Sequence, residues 1–149
     1  MDVTEAVALG EALLSEFGLN GWVIALDKRA TRRFGQCRRR QHTIGLTEAL
    51  VKLNTRAEVE DVIRHEIAHA LVGDGHGHDR VWKLKCIEVG ARPERCYDES
   101  VVTPPRRYTL TCPDCDWTCE RDRRTRGNYK HHPRHGVLIW SDNRIRAAV

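Results

Sequence analysis

The 149-residue sequence has no stretch approaching the roughly 20 consecutive apolar residues of a membrane-spanning helix, so a helical membrane protein is not expected. It also lacks the basic start and apolar run of a secretory leader: the chain opens Met1, Asp2, Val3, Thr4, Glu5, which points to a cytoplasmic protein. No internal repeat and no low-complexity tract occurs, which sets aside repeat architectures. A chain of this length buries about two-thirds of its unfolded surface, enough for one main domain without disulfides or a metal to hold it together. In a reducing compartment six cysteines are thiols or metal ligands rather than disulfides, so their spacing carries information.

Lysine is scarce, with 5 Lys against 20 Arg, and arginine suits bidentate contacts to phosphate or carboxylate. The net charge of +4 is unevenly placed. Residues 1–100 carry 15 basic and 16 acidic side chains, whereas residues 101–149 carry 10 and 5, so the last third is the basic part.

Apolar residues at helical spacing (Val3, Ala6, Val7, Leu13, Leu14, Phe17) predict a first helix that stops at Gly18. Three short segments follow, Trp22 to Leu26, Thr31 to Cys37 and Gln41 to Leu46, and the charged turns between them suggest a three-stranded antiparallel meander. Thr47 is placed to cap a short helix through Leu53, and Thr55 with Glu58 has the spacing of a capping box opening a longer one. A further helix is predicted from Asp79 to about Val89, with Trp82, Leu84, Cys86 and Val89 facing the core and Gly90 at its C-terminal end. Prolines 93, 104 and 105 then mark a boundary. The expected architecture is α+β: residues 1–98 as one domain, 99–107 as a linker, 108–142 as a small β domain and 143–149 as a tail.

Within the longer helix His65-Glu66-Ile67-Ala68-His69 is an HExxH pattern. Residues four apart stack on one helix face, so the two imidazoles can share a zinc ion, and Glu66 beside them can act as general base on zinc-bound water. Such a centre needs a third protein ligand and an open position. His78 and His76 are the candidates, while the longer metzincin spacing is absent because Val72 and Gly75 stand where it needs Gly and His.

His65-Glu66-x-x-His69 followed by Gly77-His78-x-x-x-Trp82-Lys83 resembles the SprT-like family, which includes the Spartan proteases. Arg33-Phe34-Gly35-Gln36-Cys37 and Ile44-Gly45-Leu46-Thr47 resemble that family's second and third strands, so the likeness covers roughly residues 5–92. It implies a zincin-like metalloprotease domain with His78 as the third ligand, although Asp79 stands where the family often has Gly. It also implies substrate held extended beside an edge strand, which here would be Gln41 to Leu46. Tyr97 and His42 are possible oxyanion stabilisers, and Cys37, Cys86 and Cys96 read as small core thiols.

Cys112-Pro113-Asp114-Cys115 is a C-x-x-C knuckle, and His132-x-x-His135 follows after 16 intervening residues at the spacing of a zinc ribbon. Four ligands would close a structural zinc site, with His131 and Cys119 as spare donors. A thioredoxin-like redox pair would need a βαβ context that is missing, and a zinc deaminase would need an H-x-E motif that is absent. Between the pairs lie Arg121, Arg123, Arg124 and Arg126, with Tyr129 nearby and Trp117 and Trp140 flanking, a pattern that alternating along a strand would suit phosphates and stacked bases. The combined expectation is a monomeric zinc endopeptidase acting on DNA-associated proteins, single-stranded or crosslinked DNA being the nucleic-acid partner and no membrane being involved. The competing readings are a zinc-stabilised nucleic-acid adaptor without proteolysis and a repressor-cleaving metallopeptidase of the ImmA kind.

Overall fold

The computed structural model describes residues 1–96 and 100–143, and the chain divides into two compact units, Met1–Pro104 and Pro105–Val149. It is a mixed α and β protein. In the first unit α1 (Val3–Glu16) is followed by β1 (Val23–Asp27), β2 (Gly35–Arg38), β3 (Thr43–Thr47), α2 (Glu48–Leu53), α3 (Arg56–Val72) and α4 (Arg80–Glu88). The second unit is a three-stranded antiparallel sheet of β4 (Tyr108–Thr111), β5 (Thr118–Arg121) and β6 (Ile139–Asp142), in the order β5-β4-β6.

The first sheet is not the expected antiparallel meander. Its order is β1-β3-β2, with β1 parallel to β3 and β2 antiparallel to it. Burial explains the arrangement: all five residues of β3 are buried, so it takes the centre with a neighbour on each side, while the half-exposed β1 and β2 form the edges. The segment expected to be the substrate-binding edge, Gln41 to Leu46, is therefore the interior strand, and the edge role falls to β2.

Helix starts follow their capping chemistry. Asp2 accepts from the Thr4 and Glu5 amides, Thr55 Oγ1 from Glu58 N at 3.3 Å, and Asp79 Oδ1 from Trp82 N at 3.0 Å. Two expectations change. Thr47 precedes α2, but its hydroxyl donates to the Arg33 carbonyl instead of capping the helix, tying β3 to the segment that leads into β2. Glu58 does not reach back to complete a capping box; its carboxylate accepts from Arg92 at 2.6 Å and from Ser100 at 2.9 Å. Arg92 also donates to Asp61 at 2.8 Å, and Arg64 donates to the Val89 carbonyl at 2.7 Å, so polar contacts fasten the chain after α4 back onto α3.

The core of this unit gathers Ala6, Leu13 and Leu14 from α1, Ile44 and Leu46 from β3, Val59, Ile63 and Ile67 from α3, and Trp82 and Cys86 from α4. Leu84, expected inside, is 58% exposed, because α4 turns only the Trp82, Cys86 and Val89 stripe inward. Residues expected to be linker also join this unit: Val101 is buried in its core, and Val102 exchanges hydrogen bonds with the Asn54 side chain at 2.7 and 2.8 Å. The second unit buries far less, with Leu110, Cys112 and Leu138 packed against Trp140.

Candidate metal centres

In the first unit α3 holds His65 and His69 one helical turn apart, and the glycine-rich bend after Val72 brings His78 back over them. The Nε2 atoms of His69 and His78 lie 3.2 Å apart and those of His78 and His65 3.4 Å apart. A tetrahedral ion with bonds of about 2.0–2.1 Å would set its nitrogen ligands about 3.3–3.4 Å from one another, so this spacing fits a shared metal. Burial also suits the imidazoles for ligation, since it favours the neutral form with a free lone pair: His65 is pushed down to about 3 and His69 to about 4. His76 is directed elsewhere, its Nδ1 2.8 Å from Asp79 Oδ2, and it stands outside the cluster of His65, His69 and His78.

Trp82 forms the floor under this cluster. Its fully buried ring is 4.7 Å from His65, 5.1 Å from His69 and 4.5 Å from His78, centroid to centroid, edge-on to two of them and stacked on His69. Its Nε1 is buried without a hydrogen-bond partner among the described residues, so the ring is placed for its faces and edges rather than for its N–H. The sequence marked Trp82 as a core residue and part of a motif; that it touches all three imidazoles emerges only from the folding of α4 against α3.

Glu66 is 8% exposed and faces β2. Desolvation pushes its carboxyl up to about 7, partly offset by a hydrogen bond from the Cys37 amide and by the charge of Arg33. That amide is available because the Phe34 carbonyl accepts from Thr47 N at 2.9 Å, and alternation along the strand then turns the peptide groups of Gly35 and Cys37 outward, toward the cleft. Gly35 is required by contact rather than by backbone angle: a Cβ there would stand 2.7 Å from Glu66 Oε1 and 2.8 Å from Val62 Cγ1. In the sequence Gly35 stands only as a glycine inside the strand pattern Arg33 to Cys37, with nothing to mark its contact with Glu66.

A concavity of about 420 Å³ opens over the centre, with walls that include Gly35, Cys37, His65, Glu66, His69 and His78. A neighbouring one of about 430 Å³ shares Gly35, His65 and Glu66. The cysteines differ in setting: Cys86 is buried, Cys37 is half-buried at the cleft with its thiol pushed up to about 11 by desolvation, and Cys96, expected in the core, is exposed. Of the two oxyanion candidates, His42 stacks on Trp22 at 5.4 Å and takes no part in the cluster, while Tyr97 lies outside the described residues.

The second unit gathers Cys112, Cys115, His131 and His135. Cys112 Sγ is 3.3 Å from His135 Nδ1, Cys115 Sγ 3.3 Å from His131 Nε2, and the two ring nitrogens are 3.0 Å apart. Four thiol and imidazole donors with no carboxylate among them make a closed set of structural type, consistent with zinc. His131 replaces the expected His132. Its ring lies flat on Trp117, 4.8 Å away at 4°, which holds it toward Cys115, whereas His132 Nδ1 accepts from Arg134 N at 3.3 Å within the turn. Gly136 N donates to Asp114 Oδ2 at 2.5 Å, docking the knuckle onto the turn. Cys119, on β5, is not in the cluster.

The arginines of this unit do not alternate along a strand as expected. β5 ends at Arg121, and Arg123, Arg124 and Arg126 follow in an irregular segment that reverses at Gly127, whose φ of 120° an L side chain would strain to adopt. All four are exposed. Arg124 and Arg126 edge a concavity that also includes Trp140, and the Tyr129 hydroxyl donates to the Arg126 carbonyl at 2.8 Å.

No curated protein matches the chain. The SprT-like family model matches residues 8–102, which is more than half of the sequence and contains α3, the His78 bend and α4. On that match, and in agreement with its HExxH and Gly-His-x-x-x-Trp motifs, the chain belongs to the SprT-like family.

Proposed function

We propose that this protein is a zinc-dependent endopeptidase that acts on DNA-associated proteins, with His65, His69 and His78 holding the catalytic zinc. The observation that carries this reading is the convergence of three imidazole Nε2 atoms beside a buried carboxylate on one wall of an open cleft. Zinc, when bound there, supplies Lewis acidity to a water molecule and to the scissile carbonyl. Glu66 takes a proton from the attacking water at its carboxylate oxygen and delivers it to the leaving amine nitrogen. A carboxyl whose affinity for protons has been raised by burial is suited to both halves of that transfer. Trp82 keeps the three imidazoles in register, and β2 offers the outward backbone groups of Gly35 and the Cys37 carbonyl along the cleft, where an extended substrate chain can lie.

The second unit, held by zinc on Cys112, Cys115, His131 and His135, brings the protease to its substrates through Arg121, Arg123, Arg124 and Arg126, which contact nucleic-acid phosphates. The deciding experiment is cleavage of a DNA-binding protein by wild type and by Glu66→Gln, each with and without single-stranded DNA. Wild type alone cuts, faster with DNA, and Glu66→Gln retains zinc but loses at least about a thousandfold in rate. Zinc retention by both proteins with cleavage by neither would replace the protease by a nucleic-acid adaptor.

A further inference from the structure

The charge count of the first hundred residues hides a local excess. Residues 28–40 contain Lys28, Arg29, Arg32, Arg33, Arg38, Arg39 and Arg40 and no acidic residue. This segment is the edge strand β2 with its two flanking turns, and it forms one wall of the cleft. Three concavities follow it in succession. The first is walled in part by Arg33, Gly35 and Arg95, the middle one by Arg33, Arg39 and Arg95 around the histidines, and the third by Arg38, Arg39 and Arg40. Shared walls make them one groove with the candidate metal centre in its middle third.

Among the described residues the acidic side chains along it are Asp61, Glu66, Asp74 and Glu94, fewer than its arginines. Asp27 sits 4.0 Å from Arg33 and 3.7 Å from Arg38, while Asp74, which is almost fully exposed, sits 3.4 Å from Arg39. These pairs are long, at 3.4–4.0 Å, and each has a solvent-accessible member, so they hold the guanidiniums only weakly. Arg92 is different, being held by Asp61 and Glu58, and belongs to the scaffold. Arg40 and Arg95 are exposed. Arg33, Arg39 and Arg95 line the same concavity as His65, Glu66, His69 and His78, so all three guanidiniums face the space where a scissile bond would sit.

We infer that this groove selects an extended peptide with acidic side chains on both sides of the bond to be cut, Arg33 and Arg95 receiving those on one flank and Arg39 and Arg40 those on the other. This rests on the protease reading and names its substrate class. A peptide is favoured over a nucleic-acid strand because the groove runs along a sheet edge whose outward peptide groups can pair with another backbone, which a phosphodiester chain cannot do. From Arg33 to Arg39 the extended chain spans about 20 Å, or roughly three substrate residues on each side of the centre. Arginine forks pair bidentately with carboxylates, which supplies the discrimination.

The test uses the full-length protein, its zinc content measured, and three peptides of equal length. They share a neutral centre and carry Glu, Ser or Lys on both flanks. The Glu-flanked peptide is cut with kcat/KM at least about tenfold above the Lys-flanked one, and Arg33→Glu combined with Arg39→Glu reverses that order while zinc content is retained. Equal cutting of the Glu and Lys peptides, or a preference for Lys that the double variant leaves in place, overturns the assignment. Binding to Glu66→Gln, followed by fluorescence anisotropy of the labelled peptides, separates this inference from the activity. Tighter binding of the Glu peptide, lost in Arg33→Glu/Arg39→Glu, upholds it even if nothing is cut, in which case it is the protease reading that fails. Displacement of that peptide by an oligothymidylate, with binding of the oligothymidylate itself abolished by the same two substitutions, overturns it in favour of a nucleic-acid surface.

Discussion

The two clusters of histidine and cysteine ask opposite things of the protein around them. The first lies over a core drawn from three helices and a sheet, which would persist with the cluster left out. The second lies beside a core of Leu110, Cys112 and Leu138 with Trp140 against it, and Cys112 is itself one of the four donors. The first set has three imidazoles, a carboxylate on the next residue and an open cleft, whereas the second has four soft or borderline donors and no carboxylate. A fold that is stable without its ion can leave a coordination position to substrate; a fold that depends on its ion has reason to close the shell.

Chelation gives the largest separation between them. Stripping the metal is expected to unfold the second unit, because binding free energies of about 10–16 kcal/mol for small structural zinc sites are in effect their folding free energy. The first unit keeps its helices. Amide-resolved NMR before and after chelation reads both at once, and parallel loss of the two sets of signals would erase the distinction.

Trp82 comes next. Trp82→Ala removes a fully buried ring and is expected to destabilise the first unit by about 3–5 kcal/mol, while Trp82→Phe costs less and preserves ring contact with the imidazoles. If the ring positions those imidazoles, zinc affinity measured by competition with a chromophoric chelator falls strongly in Trp82→Leu and recovers in Trp82→Phe. A fall in stability with unchanged affinity in both would make Trp82 a core residue only.

Glu66 provides a smaller effect with a defined sign. Its carboxyl is held at about 7 in the folded chain against an ordinary value of 4.5, so the folded state holds its proton more tightly than the unfolded state. Stability present below about pH 4.5 is lost as pH rises to about 7, and the penalty is complete above that. Glu66→Gln, neutral throughout, is therefore expected to stabilise the metal-free protein above pH 7 by up to about 3 kcal/mol and to make little difference below pH 4.5. The buried imidazoles act in the other direction: with His65 and His69 held at about 3 and 4, stability is lost as pH falls from 6.5 toward those values. Denaturant midpoints across pH 4–9 for wild type and Glu66→Gln check both statements.

The smallest expected effect is at His132. His132→Ala leaves the metal content of the second unit unchanged, whereas His131→Ala removes its fourth donor and lowers zinc occupancy on elemental analysis; the reverse result would restore the His132-x-x-His135 pairing.

The sequence by itself determined what depends on neighbours along the chain. Helix starts at Thr55 and Asp79, the one-turn spacing of His65 and His69, and the Cys112-Cys115 knuckle follow from periods and caps that a few residues contain, and they were legible before any fold was known. The Gly-His-x-x-x-Trp motif added His78 through family likeness. Only the tertiary structure decided what depends on segments meeting from a distance. β3 became central because five buried residues need a neighbour on each side, which moved a free sheet edge to β2 and with it Arg33, Arg38, Arg39 and Arg40 to the groove. His131 displaced His132 because Trp117, fourteen positions earlier, offers its ring face to one and not the other. Gly35 became essential because Glu66, from another element, occupies the space a side chain would need. A local pattern can list the side chains available at a site, but which of them share a volume of a few hundred cubic ångströms is settled by packing, where burial and steric exclusion act between residues the chain keeps far apart.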